Sequence, residues 1–158
     1  MEMVYSTTPH TNIPGVYCIE HGKGRVVYFP MDIDRTFWEV LSVDHLTVLR
    51  NAITWAADET SPMQIKGPGL LDVSLWRQKQ SITAHIVNLT NPMAMKGSFR
   101  ELIPVQANVS IRIPENKKVN GVHLLMTGTN PAFENKNGRV ELRVPQVMDH
   151  EIVALDLV

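Results

Sequence analysis

The chain has 158 residues, 44% of them apolar and 20% charged, with a formal net charge of −1. That mixture describes one ordinary domain, or a small domain plus a piece of another, and excludes extended disorder. A charge this close to zero provides no global field for nucleic acid or an anionic membrane.

The stretch "MEMVYSTTPH" lacks the basic and apolar regions of a signal peptide. No apolar run approaches the roughly 18 to 20 residues that cross a bilayer. Cys18 is the one cysteine, so no internal disulfide framework exists, and a reducing compartment fits best. The expectation is a cytoplasmic chain with no membrane partner.

Residues 15 to 20, "GVYCIE", have the composition of a strand, and "HGKG" that of a turn. Residues 25 to 29, "RVVYF", are β-branched and aromatic and predict a second strand. "PMDIDRTFWEVLSVD" follows as a loop with room for one helical turn. Residues 45 to 57 predict a helix, because Leu46, Leu49, Ile53 and Ala56 recur at helical spacing with Ala52 beside them. Asp44 is placed to cap its first turn. A hairpin and a helix over about 60 residues bury too little surface to fold unaided, so their apolar faces want a partner.

"ETSPMQIKGPG", residues 59 to 69, carries two prolines and two glycines and reads as a linker. Beyond it the period changes to two. Strands are expected over 70–76, 81–88, 108–113, 121–127, 139–144 and 151–157. Val109, Ile111 and Ile113 alternate with Ser110 and Arg112, as in antiparallel sheets with one wet face. "RQKQ", "PENKKVNG" and "NPAFENKNG" supply the turns. The fold class is therefore α+β. A partial α/β tail over residues 1–60 precedes an antiparallel β-sandwich over residues 61–158.

Few residues carry recognisable chemistry. Asp32, Asp34 and Glu39 follow a strand end, where α/β folds often place function; two close carboxylates are a weak signal, however, and ordering a turn and capping a helix is the favoured reading. Cys18 and His21 form a C-x-x-H spacing without further ligands, and Cys18 reads as a buried structural thiol. The six histidines include no H-x-x-x-H pair, and His85 and His123 fall on outward strand faces. "GKG" is not a phosphate loop and no G-x-S-x-G elbow exists. Trp38, Trp55 and Trp76 adjoin apolar segments, which favours core or interdomain packing over a sugar platform. Lys117-Lys118 reads as a solvated turn. Asn88-Leu-Thr90 and Asn108-Val-Ser110 match the glycosylation sequon, by chance if the chain is not secreted. Residues 88 to 101 form a long loop whose Met93, Met95, Phe99 and Arg100 suit an adaptable contact. No metal or other cofactor is expected.

Taken together, "GKGRVVYFPMDIDRTFWEVLSVDHLTVLRNAITWAA" resembles the end of the glutamine-amidotransferase-like domain of multidomain glycoside hydrolase-like proteins, the β-galactosidase trimerisation domain. Gly22-Lys23-Gly24-Arg25, the strand through Phe29, Asp32, Asp34, Arg35, Asn51 and Trp55 carry that resemblance. "GPGLLDVSLWRQ", "VNLTNPMAMKG" and "DHEIVALDL" are similar to the β-rich C-terminal region of the same proteins. The resemblance implies a catalytic (β/α)-barrel upstream, absent from this sequence, so no catalytic residue is carried over. It implies a role in oligomerisation or in bracing the barrel. The partners would be that barrel or further copies of the chain, with Asp32, Asp34, Arg35, Trp38, Met93, Met95 and Phe99 as contact candidates. The alternatives are a free-standing carbohydrate-binding sandwich, which requires exposed aromatics on one sheet face, and a small enzyme using Asp32, Asp34 and Glu39.

Overall fold

The computed structural model describes residues 12–40, 42–90 and 101–158. The chain divides into two compact units, Met1–Ser61 and Pro62–Val158.

In the first unit, β1 (Tyr17–His21) and β2 (Gly24–Tyr28) form an antiparallel hairpin turned at Gly22, whose φ of 60° suits a residue without a Cβ. Two helices follow, α1 (Ile33–Val40) and α2 (Val43–Ala57). The expected loop over 30–44 is thus largely helix. Asp32 starts α1: its carbonyl accepts the Thr36 N–H at 3.1 Å and the Thr36 hydroxyl at 2.8 Å. Ile33 and Phe37 then lie one turn apart on the inner face. The expected cap of α2 is also corrected. Ser42 occupies the N-cap without a side-chain bond, and Asp44 lies in the first turn, where its charge complements the helix dipole.

In the second unit, eight strands form two antiparallel sheets. They are β3 (Met63–Lys66), β4 (Leu71–Arg77), β5 (Ser81–Asn88), β6 (Val105–Arg112), β7 (Val119–Leu124), β8 (Phe133–Lys136), β9 (Arg139–Val147) and β10 (His150–Leu157). The strand orders are β4-β5-β10-β7 and β3-β6-β9-β8. Alternation builds the core. Ile82, Ala84 and Ile86 of β5 and Val153 and Leu155 of β10 meet Val109 and Ile111 of β6 and Val140, Leu142 and Val144 of β9. The antiparallel β-sandwich follows as the sequence pattern requires.

Two strands were not expected. β3 lies within the supposed linker; Met63 and Ile65 point inward and Gln64 and Lys66 outward. It pairs only with β6, and an edge position is where flanking prolines are tolerated. β8 lies in "NPAFENKNG", which the sequence pattern assigns to a turn. Its hairpin to β9 closes through Asn137 and Gly138, with φ of 52° and 72°, the two-residue turn that Asn-Gly encodes.

Two buried polar side chains tie loops to this core. The Asn88 amide donates to the carbonyls of Ile103, Val147 and Met148 and accepts the Thr90 N–H. It is 7% exposed, which closes that sequon to modification. Glu151 is fully buried, and its carboxylate accepts the N–H groups of Met126, Thr127 and Ile152 and the Thr127 hydroxyl. It thereby holds the turn after β7, satisfying donors that would otherwise be stranded.

Candidate functional site

The acidic residues singled out by sequence gather around α1. Asp32 pairs with Arg35 at 2.5 Å, one turn along the helix. The Arg35 guanidinium, with a lesser hydrogen bond from Asp34, holds the Asp32 carboxyl below the usual carboxylate value. An exposed carboxylate kept ionised by an adjacent guanidinium is a poor proton donor. Asp34, Arg35 and Glu39 are all exposed. Among the described residues, no group of three or more His, Cys, Asp or Glu is placed to hold a metal ion.

Arg25 is the organising residue that sequence reasoning treated only as part of a motif. Its guanidinium donates to the Trp55 carbonyl at 3.2 Å and to Asp58 at 2.6 Å, and lies 5.4 Å from the Trp55 ring centroid. Helix α2 has no basic residue in its last turn, so Arg25 brings the cation to its C-terminal end from β2. Asp58, at φ 52°, ends the helix in the left-handed conformation. Hairpin and helix are thus joined through one side chain.

What surrounds that joint is apolar and uncovered. Ile33 is the one buried apolar residue among the described residues of the first unit, and α2 buries none of its fifteen. Its half-buried side is Leu49, Ala52, Trp55 and Ala56. Ile53, expected on the inner face, is 68% exposed, and Leu46 also points outward. On the hairpin, Tyr17, Ile19, Val26 and Tyr28 share a face by register. Ile19, Val26 and Tyr28 on that face are exposed, while Arg25 on the other face meets α2. Apolar side chains on both faces are the pattern of strands covered on both sides. The Nδ1 atom of His45 on α2 is buried with no partner among the described residues.

Further expectations are corrected here. Cys18 is exposed, not buried. Trp38 and Trp76 are 60% and 63% exposed, so neither fills a core; only Trp55 is half-buried. Trp76 lies opposite Thr83 on the outer face of β4. That face also carries His85 stacked on His150, with ring centroids 5.7 Å apart, and His123. Met93, Met95, Phe99 and Arg100 lie outside the described residues. No described helix is long and apolar enough to cross a membrane.

No protein-family model and no curated protein sequence matches the chain. Among solved structures, α-L-fucosidase isoenzyme 2 from Paenibacillus thiaminolyticus is similar, with a TM-score of 0.71 and 19% sequence identity. The match covers 92% of this chain and 22% of the fucosidase chain. At that identity the likeness shows a shared fold. The chain spans about a fifth of the length of that protein.

Proposed function

We propose that this chain is a non-catalytic C-terminal region of a glycoside-hydrolase-type protein, acting in oligomerisation or in bracing a catalytic barrel. One observation carries the reading: Ile33 is the sole buried apolar side chain among the described residues of a unit that includes a hairpin and two helices. Fully covering a side chain such as Ile53 or Val26 contributes roughly 1.5–3 kcal/mol, so a partner surface that does so is strongly favoured. Two supports point to the same class of parent. Residues 22–57 resemble the end of an amidotransferase-like domain, and the fold is shared with part of an α-L-fucosidase. The partner would be an upstream barrel or another copy of the chain.

The intact mass of the protein isolated from its own cells tests the parentage. A mass well above 17.8 kDa is expected. A mass of 17.8 kDa, together with sugar hydrolysis abolished by Asp32→Asn and Asp34→Asn, would instead establish a small enzyme.

Trp76, exposed on an outer sheet face, favours a second reading, a carbohydrate-binding sandwich. Loss of sugar binding in Trp76→Ala would separate it from the first.

A further inference from the structure

A cavity of about 450 Å³ opens at one end of the sandwich, within the range of small-ligand sites. One wall is the connection from β6 to β7, and the other is the hairpin of β8 and β9. Hydrogen bonds fix both. The Ile113 N–H donates to the Gly138 carbonyl at 2.9 Å and joins the two walls. The Lys117 N–H donates to the Pro114 carbonyl at 2.9 Å, which closes a turn. Lys118 and Val158 each donate an N–H to the other's carbonyl at 3.0 Å, which ties that turn to the residue after β10.

The lining is unbalanced in charge. Lys117, Lys118 and Arg139 share it with one carboxylate, Glu115, which leaves two positive charges in a chain whose net charge is −1. Lys117 is half-buried, and among the described residues neither its ammonium nor that of Lys118 has a hydrogen-bond or ion-pair partner. A lysine that gives up water without gaining an acceptor is uncommon. Register adds a further cation. Lys136, Arg139 and Arg112 stand directly opposite one another across β8, β9 and β6, and like charges so placed disfavour one another. An anion at this end of the sandwich offsets that repulsion.

The donors narrow the anion. The Arg139 guanidinium is directed elsewhere: it donates to the Ser110 hydroxyl at 2.8 Å and to the Ser110 carbonyl at 2.9 Å. The planar fork that suits a carboxylate is thus engaged. What is left is two ammonium groups, which bind as point charges, and the carboxamides of Asn135 and Asn137. A tetrahedral dianion, with its charge spread over three oxygens, suits such donors better than a planar carboxylate. Ile113, Pro114 and Val119 supply an apolar part of the lining for carbon atoms of the ligand, and the volume exceeds what an inorganic ion fills. We propose that this cavity binds a small organic phosphate monoester. The proposal is independent of the assembly reading, since it uses residues of the sandwich alone.

The test is a two-dimensional NMR titration of the full chain with phenyl phosphate, AMP and glycerol 3-phosphate as separate probes. At least one probe should give saturable shifts centred on Lys117, Lys118, Asn137 and Gly138, and the tightest of the three separates a nucleotide source from a simpler ester. Lys117→Gln and Lys118→Gln should each weaken that binding about tenfold, the loss of one charge-assisted hydrogen bond. Glu115→Gln should strengthen it, because it removes the one carboxylate of the lining. Raising the ionic strength to about 1 M, where screening acts within about 3 Å, should weaken it in the unmodified chain. No saturable shift with any probe would overturn the proposal. So would affinity unchanged in both lysine variants, or succinate bound as tightly as the phosphates. A self-associating chain that binds no phosphate monoester would retain the assembly reading and reject this one; a monomer that binds at the cavity would do the reverse.

Discussion

His123 shows how one side chain can be read in energetic terms. Its Nδ1 lies 2.7 Å from the Asn130 side-chain oxygen and its Nε2 lies 2.9 Å from an Asp156 carboxylate oxygen. Both partners accept, and only the doubly protonated imidazolium donates at both nitrogens. Asn130 first, and Asp156 second, raise the pKa above the ordinary value of 6.5. A raised folded value means that the folded chain holds the proton more tightly than the unfolded chain. The stabilisation is therefore complete below about pH 6.5 and is lost as pH climbs through the folded pKa. An NMR titration should place the His123 midpoint above that of a free histidine, and Asp156→Asn should lower it. A midpoint unmoved by Asp156→Asn would remove the carboxylate from this account. The outward placement of His85 and His123 was legible, because a period of two assigns faces without reference to the partner strand. The same rule puts Glu151 on the face of 153, 155 and 157, a placement the sequence reading did not draw. What the rule could not supply is the set of donors that makes a buried carboxylate tolerable there, because Met126 and Thr127 come from a turn 24 and 25 residues away.

At the scale of elements, the long alternating strands β5, β6, β9 and β10 were readable, and the short pieces were not. β3 and β8 have four residues each, too few for a period to stand out, and both lie among turn-forming residues. The Asn137-Gly138 pair was the available signal for β8. Helix α1 was missed for a related reason: Asp32 and Asp34 are as common in turns as at helix starts. The bend between β3 and β4 shows how closely such segments are fitted. Gly69 has φ of 84°, and a Cβ there would collide with Thr90 and crowd Val105. Gly69→Ala should therefore destabilise the sandwich by more than about 1 kcal/mol in urea unfolding. Ile86→Ala, in the fully buried core, should cost about 2–5 kcal/mol. Ile53→Ala on α2, where the side chain is exposed, should cost far less. Equal losses at Ile86 and Ile53 would contradict the assignment of the core.

For the whole molecule, the two units differ in how far they satisfy their own surfaces. Among the described residues, the sandwich buries sixteen apolar side chains in one cluster, whereas the first unit buries Ile33. The sequence indicated that a hairpin and one helix cannot enclose a core, and the exposed Ile19, Val26, Tyr28, Leu46 and Ile53 agree with that expectation. The contact candidates separated on inspection. Asp32, just before α1, and Asp34 and Arg35 in its first turn lie together, with Trp38 farther along the helix, whereas Met93, Met95 and Phe99 lie outside the described residues. Their supposed contact role came from composition, which records what a surface tolerates and not what covers it. A patch of this kind is normally covered in the functional state.

The most direct measurement is sedimentation velocity of the chain over a hundredfold range of concentration, alongside Ile53→Glu and Val26→Glu. The account expects the unmodified chain to associate as concentration rises and both variants to remain at 17.8 kDa. An unmodified chain that stays a monomer at 17.8 kDa throughout, without binding an apolar fluorescent dye, would contradict it.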